Sequence, residues 1–373
     1  MIKKEIKIKP EVLKALIRLS GFDEKEISEK LKISLQRIDE GKITLGQLKK
    51  LAQTLKRPIV AFFSDEIPVL QAIPDYRLNR EKRINSEVFL AQRKLTYLID
   101  KLRELKTVKS NIPEFPLTLP PEKLAKEFRN FIEVDLIKNQ KPHVLLEIYK
   151  NKIEAKLNLI IIEYPLKPAK KKENSDDVRA FSIYYPDLSG IVLNESDHPS
   201  VKLFSLFHEM CHILRKNSGV CSLEYEVERE FKEESYCNKF SAEFLIPIED
   251  LKIELKKSKI NENNILSIIE EISKIYGVSK RVILLRLLYL KEINETKYYE
   301  LKKILEEKKK EEAVKGYKNW EGVLRNRTGN LVIKRVKEAL FQEKISYYEA
   351  LNILDLKSKY AEKLLYSEQK TAT

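Results

Sequence analysis

Only four histidines occur in the 373 residues, and two of them, His208 and His212, fall in the run Phe207-His208-Glu209-Met210-Cys211-His212. Side chains at i and i+4 project from one face of a helix, so two imidazoles so spaced can hold one zinc ion between them. Glu209, one residue on, then sits beside the ion. There it can take a proton from water as the water attacks a carbonyl, and pass that proton to the leaving amine. In a chain of this composition the HExxH pattern arises by chance only roughly 0.005 times, so the spacing is a signal. A catalytic zinc needs a third protein ligand. The acids downstream are Glu224, Glu226, Glu228, Glu230, Glu233 and Glu234. Glu234 fits best, because it opens a helical segment running to Pro247 on which Asn238 shares its face and can orient an imidazole from behind. Glu233 is the runner-up. The thiols of Cys211 and Cys237 lie near the ligands in sequence but are expected to point elsewhere and pack in the core.

The elements that must position these groups follow from periodicity. Pro199 suits a first helical turn, Asp197 or Ser196 can cap it, and Val201, Leu203, Phe204, Leu206, Phe207, Met210, Ile213 and Leu214 make the histidine helix apolar on most sides and therefore buried. Ahead of it, runs rich in Ile, Val and Tyr over 157–164, 178–185 and 190–193 predict strands, with the lysine-rich stretch from Lys167 to Asp177 as an exposed hairpin loop. The strand Gly190–Leu193 reads either as an edge that pairs with an extended substrate or as plain core, and Tyr184 and Tyr185 read first as packing residues, with donation to a developing oxyanion as the alternative. Helices are expected at 121–134 and 142–151. A long charged helix over 85–106 runs into Pro113, Pro116, Pro120 and Pro121, which marks a domain boundary. Everything after Pro199 reads as helical, and residues 293–373 as an appended helical module. The fold class is mainly α with a small β-sheet, an α+β chain.

Residues 10–64 read as five short helices. Val12, Leu13, Leu16 and Ile17 lie at helical spacing after Pro10, Asp23 caps a second helix, and Ile33-Ser34 opens a third that ends at Gly41. Thr44 caps a fourth helix carrying Leu45, Leu48, Leu51 and Leu55, and Pro58 starts a last turn.

Composition narrows the function classes. Lys and Arg number 71 against 57 Asp and Glu, a formal net charge of +14, with 43% hydrophobic residues. That much apolar material excludes a disordered chain, and the positive excess favours polyanion contact without requiring it. No run approaches a membrane span, and Met1 to Lys9 alternates lysine with isoleucine instead of leading into an apolar signal region. Three cysteines, Cys211, Cys221 and Cys237, do not make a disulfide framework. The expected location is the cytoplasm, with no membrane partner.

The passage 178–186, then Gly190 to Asn194, the HEMCH helix and the run Asn238 to Pro247 together resemble the ImmA/IrrE family of zinc metallopeptidases. Weaker likeness extends to Gly277–Arg281 and to Lys344–Ala350. The resemblance implies one zinc ion (Zn2+) per chain, held by His208, His212 and Glu234, with Glu209 as general base, and a protein substrate such as a transcriptional repressor or antitoxin-like regulator. Residues 10–64, with the ending Leu51 to Phe63, resemble the Cro/repressor-type (XRE) helix-turn-helix domain. That likeness implies a third helix in the major groove of double-stranded DNA, with Ser34, Gln36 and Arg37 at base edges and Lys32 and Lys42 near phosphates. Glu24 departs from the pattern, since an acid there repels phosphate. The expected organisation is therefore a helix-turn-helix domain at 1–67, a helical linker at 68–120, a zincin-like peptidase domain at 121–292 and the helical module at 293–373. A homodimer would suit paired half-sites. The alternative expectation is a DNA-binding regulator or antitoxin in which the zinc site is structural or sensory.

Overall fold

The computed structural model describes residues 5–65, 85–106, 109–167, 178–216, 220–222, 232–258, 264–311 and 320–366. The chain divides into two compact units, residues 1–94 with 165–177, and residues 95–164 with 178–373. It is mainly helical with small sheets. No described helix is long and apolar enough to cross a membrane.

In the first unit, β1 (Glu5–Lys7) precedes α1 (Pro10–Arg18), α2 (Glu24–Leu31), α3 (Leu35–Asp39), β2 (Lys42–Thr44) and α4 (Leu45–Leu55), and a 3-10 turn, Ile59–Phe63, follows. The capping chemistry explains the boundaries. Asp23 and Glu26 form a capping box on α2, Thr44 and Gln47 another on α4, and Ser34 caps α3. Val12, Leu13, Leu16, Ile17, Ile27, Ile38, Leu48 and Leu51 close the core. The strand pair was not legible in the sequence: β1 and β2 run antiparallel with Ile6 opposite Ile43. Gly41, at φ +65, permits it, because a Cβ there would stand 2.0 Å from the Ile8 carbonyl oxygen.

The charged helix over 85–106 is α5 (Ser86–Glu104), with Val88, Ala91, Leu95, Leu98 and Leu102 buried at helical spacing. The second unit continues with α6 (Pro121–Phe131), α7 (Pro142–Leu157), β3 (Ile160–Tyr164), β4 (Val178–Ile183), β5 (Gly190–Asn194), α8 (Pro199–Leu214), β6 (Val220–Ser222), α9 (Lys232–Leu245), α10 (Ile248–Ser258), α11 (Ile265–Tyr276) and α12 (Lys280–Tyr289). Then come α13 (Glu295–Glu311), α14 (Trp320–Thr328), α15 (Asn330–Phe341), α16 (Tyr347–Leu354) and α17 (Ser358–Tyr366). α7 runs further than its periodicity suggested. Asn158, at φ 48 in the left-handed region, ends it just ahead of β3.

The sheet order, β3-β5-β4-β6, overturns three expectations. β3 and β4 do not pair, so the lysine-rich stretch between them is not a hairpin loop; its residues 168–177 lie outside the described ones. The hairpin is instead β4 with β5, joined by a shorter connection, and β3 takes the far side of β5 in parallel. β5 therefore has partners on both sides and has no free edge for a substrate. The short strand β6, antiparallel to β4, interrupts what was read as an all-helical region.

α8 lies beneath this sheet, packed on β4 and β5, with α7 and α9 against its other sides, and every residue from Ser200 to Leu214 is buried. α14 and α15 pack against β3. A group of buried charges ties these layers: the Glu163 carboxylate on β3 accepts from Lys150 of α7 at 2.9 Å and from Lys202 of α8 at 2.6 Å, and Lys150 also donates to Asn326 of α14 at 3.1 Å.

Candidate metal centre

The stripe of α8 that carries Val201, Phe204, His208 and His212 repeats at three to four residues, as one helix face must. The cap that starts this helix is His198, whose ring nitrogen accepts from the Ser200 amide at 3.3 Å. Asp197 and Ser196, the capping residues expected, are not in that role; Ser196 turns its hydroxyl to Asn194 at 3.2 Å.

α9 supplies the opposing wall. Glu234 in its first turn faces both imidazoles, with one carboxylate oxygen 3.1 Å from Nε2 of His208 and the other 3.2 Å from Nε2 of His212, and the two Nε2 atoms 3.2 Å apart. One turn further on, the Asn238 amide oxygen stands 2.9 Å from Nδ1 of His208. An amide oxygen only accepts, so Nδ1 carries the proton, and in neutral His208 a lone pair remains on Nε2. That lone pair points at a carboxylate, which also only accepts. A cation between them resolves the conflict, and spacings of 3.1–3.2 Å suit ligands placed around a zinc ion at about 2.0–2.2 Å each.

Glu209 lies fully buried next to this group. Its Oε2 accepts from the Ser182 hydroxyl of β4 at 2.7 Å, and its Oε1 has no hydrogen-bond partner. Burial raises its pKa, while His212, His208 and the Ser182 bond pull it down. Glu234 shifts the other way: burial opposes its charge, but the two imidazoles that face it, His208 and His212, outweigh that and hold it well below the ordinary carboxylate range. For His212, burial disfavours the imidazolium, and Cys237, Glu234 and Glu209 together prevail and lift its pKa well above the usual histidine value.

Glu233 is turned aside, bound to the Arg215 guanidinium at 2.5 Å. Glu224, Glu226, Glu228 and Glu230 lie outside the described residues. Cys211 and Cys237 are buried in the core, as expected, yet Cys237 is not remote: with His212 and Glu233 it forms a second group whose ligand atoms lie within 4.8 Å of one another. Tyr185 stacks on Arg103 at 4.5 Å, and Tyr184 is partly buried against the core, the packing role first expected of both. Ser182 was missed. It was legible only as the one hydroxyl in its strand, and nothing local joined it to Glu209.

In the first unit, α3 leaves Ser34 and Gln36 exposed, and Lys32 and Lys42 are exposed beside it. The side chains are already engaged. Gln36 donates to Glu40 at 2.9 Å, Lys42 pairs with Glu40 at 2.8 Å, and Arg37 pairs with Glu5 at 2.7 Å while donating to the Lys42 carbonyl. Glu24 pairs with Arg18.

Residues 156–288, just over a third of the chain, match the peptidase M78 family model, described as the IrrE N-terminal-like domain. That span takes in α8, α9 and the four-stranded sheet. It supports a metallopeptidase-type domain with a protein substrate. No curated protein and no solved structure matches the chain.

Proposed function

We propose that the second unit is a zinc-dependent endopeptidase, with the metal held by His208, His212 and Glu234 and with Glu209 as general base. The observation that carries the reading is the meeting of two imidazole nitrogens and a carboxylate, with the Nε2 of His208 and the Glu234 carboxylate both acceptors, beside a buried glutamate with one oxygen unpartnered. Bound there, zinc supplies Lewis acidity, polarising a peptide carbonyl and making water a better acid.

The chain's own groups do the rest. Asn238 fixes the tautomer and ring plane of His208. Ser182 holds one oxygen of Glu209, which leaves Oε1 to take a proton from the attacking water and return it to the departing amine. Burial, by raising the pKa of that carboxyl, makes it a stronger proton acceptor when ionised. The protein cleaved is proposed to be a cytoplasmic repressor or antitoxin-like regulator, which rests on the family likeness of residues 156–288.

The test is Glu209→Gln in the full-length chain. Zinc content should stay near one per chain while hydrolysis of a mixed peptide library falls by about 10²–10⁴-fold; His208→Ala should lose the metal itself. Wild-type turnover by Glu209→Gln removes Glu209 from its role.

A second reading concerns the first unit, proposed as a helix-turn-helix module contacting double-stranded DNA through α3. Its support is the exposure of Ser34, Gln36, Lys32 and Lys42 on and beside a capped helix. Binding would have to displace Glu5 and Glu40 from Arg37, Gln36 and Lys42. A salt-dependent DNA affinity weakened by Gln36→Ala and Arg37→Ala supports it; equal affinity in those variants removes it.

A further inference from the structure

We propose that a recess beside the metal centre is a subsite for an acidic side chain, an aspartate or glutamate next to the bond that is cut. The proposal deepens the peptidase reading and rests on it. Val201 and Phe204 of α8 and Val282 and Leu285 of α12 form the apolar walls of this recess, and Arg179 of β4 and Arg281 of α12 also line it. Its position follows from the helix. Val201 and Phe204 stand seven and four residues before His208, on the same face, and the Phe204 ring centre is 6.4 Å from that of His208. A side chain in the recess therefore belongs to a residue close to the reacting carbonyl.

Arg179 reaches the recess through an irregularity in the sheet. Along β4, strict alternation would turn Arg179 away from the face that carries Ala180 and Ser182, the face packed on α8. The pairing of β4 with β6 shifts register between Val178 and Ala180, leaving Arg179 as the extra residue, and such a bulge re-aims a side chain. Arg179 thus lines the recess with Val201 and Phe204.

Its guanidinium meets no acid among the described residues. Arg103, Arg215, Arg286 and Arg327 in the same unit each have a carboxylate partner, Asp187, Glu233, Glu243 and Glu195. Arg179 has no ion pair among the described residues, and its Nε is buried without a hydrogen-bond partner. The planar fork of a guanidinium matches a carboxylate in two parallel hydrogen bonds, and apolar walls both receive the methylene stem and strengthen the ionic contact by excluding water. An endopeptidase cuts between internal residues, whose carboxylates are on side chains, so the occupant is an acidic side chain and not a chain end.

The test uses the full-length protein and three fluorescein-labelled alanine pentapeptides: one with central glutamate and an amidated end, its glutamine counterpart, and the glutamine peptide with a free carboxylate end. Anisotropy titration should show the glutamate peptide binding at least tenfold tighter than its amidated glutamine counterpart. Arg179→Ala should abolish that ratio and Arg179→Lys should keep part of it, with zinc content unchanged in both as the check on folding. Equal binding of the two amidated peptides to the wild type overturns the proposal, and so does a gain confined to the free carboxylate end. Cleavage of a mixed peptide library is scored separately. Cuts adjacent to acidic residues that Arg179→Ala scatters support the subsite. Cuts without that preference, alongside equal binding, sink the subsite and leave the peptidase; a tenfold binding ratio with no cleavage sinks the peptidase and leaves an acidic-peptide site.

Discussion

α8 carries two buried polar groups of opposite character. Lys202, near its start, joins Lys150 around Glu163, and every contact there sets a donor against an acceptor: two ammonium groups on one carboxylate, with Asn326 taking a further bond from Lys150. Burial opposes the Glu163 charge, but the two lysines prevail and lower its pKa. Two turns on, the Nε2 lone pair of His208 faces the Glu234 carboxylate, acceptor against acceptor, with His212 beside them. The first group is complete in itself and serves to join α7, β3, α8 and α14. The second sets the His208 lone pair against a carboxylate, a conflict that a cation would resolve. Burial alone thus does not distinguish a structural cluster from a reactive one; the donor and acceptor count does.

The sharpest way to break this contrast is Glu163→Gln. It leaves Lys202 buried without its carboxylate and Lys150 with only the partly exposed Glu147, so the second unit should lose about 3–5 kcal/mol in urea unfolding while zinc binding per folded chain is unchanged. A cost near zero, or loss of the metal, would erase the distinction.

Glu154 of α7 comes next. Burial pushes its pKa up to about 7, against the pull of Lys150 and of its bond from the Leu331 amide. The folded state then holds a proton that the unfolded chain gives up near 4.5, so its contribution falls as pH rises between 4.5 and about 7. Glu154→Gln, which keeps the acceptor oxygen, should stabilise the protein by up to about 3 kcal/mol at pH 8 and change little at pH 4. Melting temperatures at the two pH values check the sign; equal shifts at both would refute it.

Asn238→Ala refines the other half of the comparison. Removing the group that sets the His208 tautomer should weaken zinc binding by about 10–100-fold, measured by competition with a chelator, with little change in unfolding midpoint of the metal-free protein. Unchanged affinity would mean that the acceptor conflict is not relieved by the metal.

Much of the local order was legible because it depends on neighbours in sequence. The caps at Asp23, Ser34 and Thr44 and the apolar spacing of α1, α4 and α8 need only a helical repeat and a side-chain oxygen one turn from a free amide. The i, i+4 histidines and the Glu234–Asn238 face are of the same kind. Their type and spacing alone pointed to a metal and to the helix that would answer them. The sequence could not say which strands pair, that β5 would lie inside the sheet, that His198 would cap α8, or that Arg179 would fall on a bulge.

Those outcomes depend on contacts between segments far apart in the chain. Periodicity decides which face of an element is apolar, and so what must be buried; it carries no information about which buried face meets which. Ser182 reaching Glu209, Glu233 turned to Arg215 and Glu163 shared by two lysines were decided only when β3, β4, α8 and α9 packed together, because close packing and the pairing of buried polar groups are properties of the assembled core.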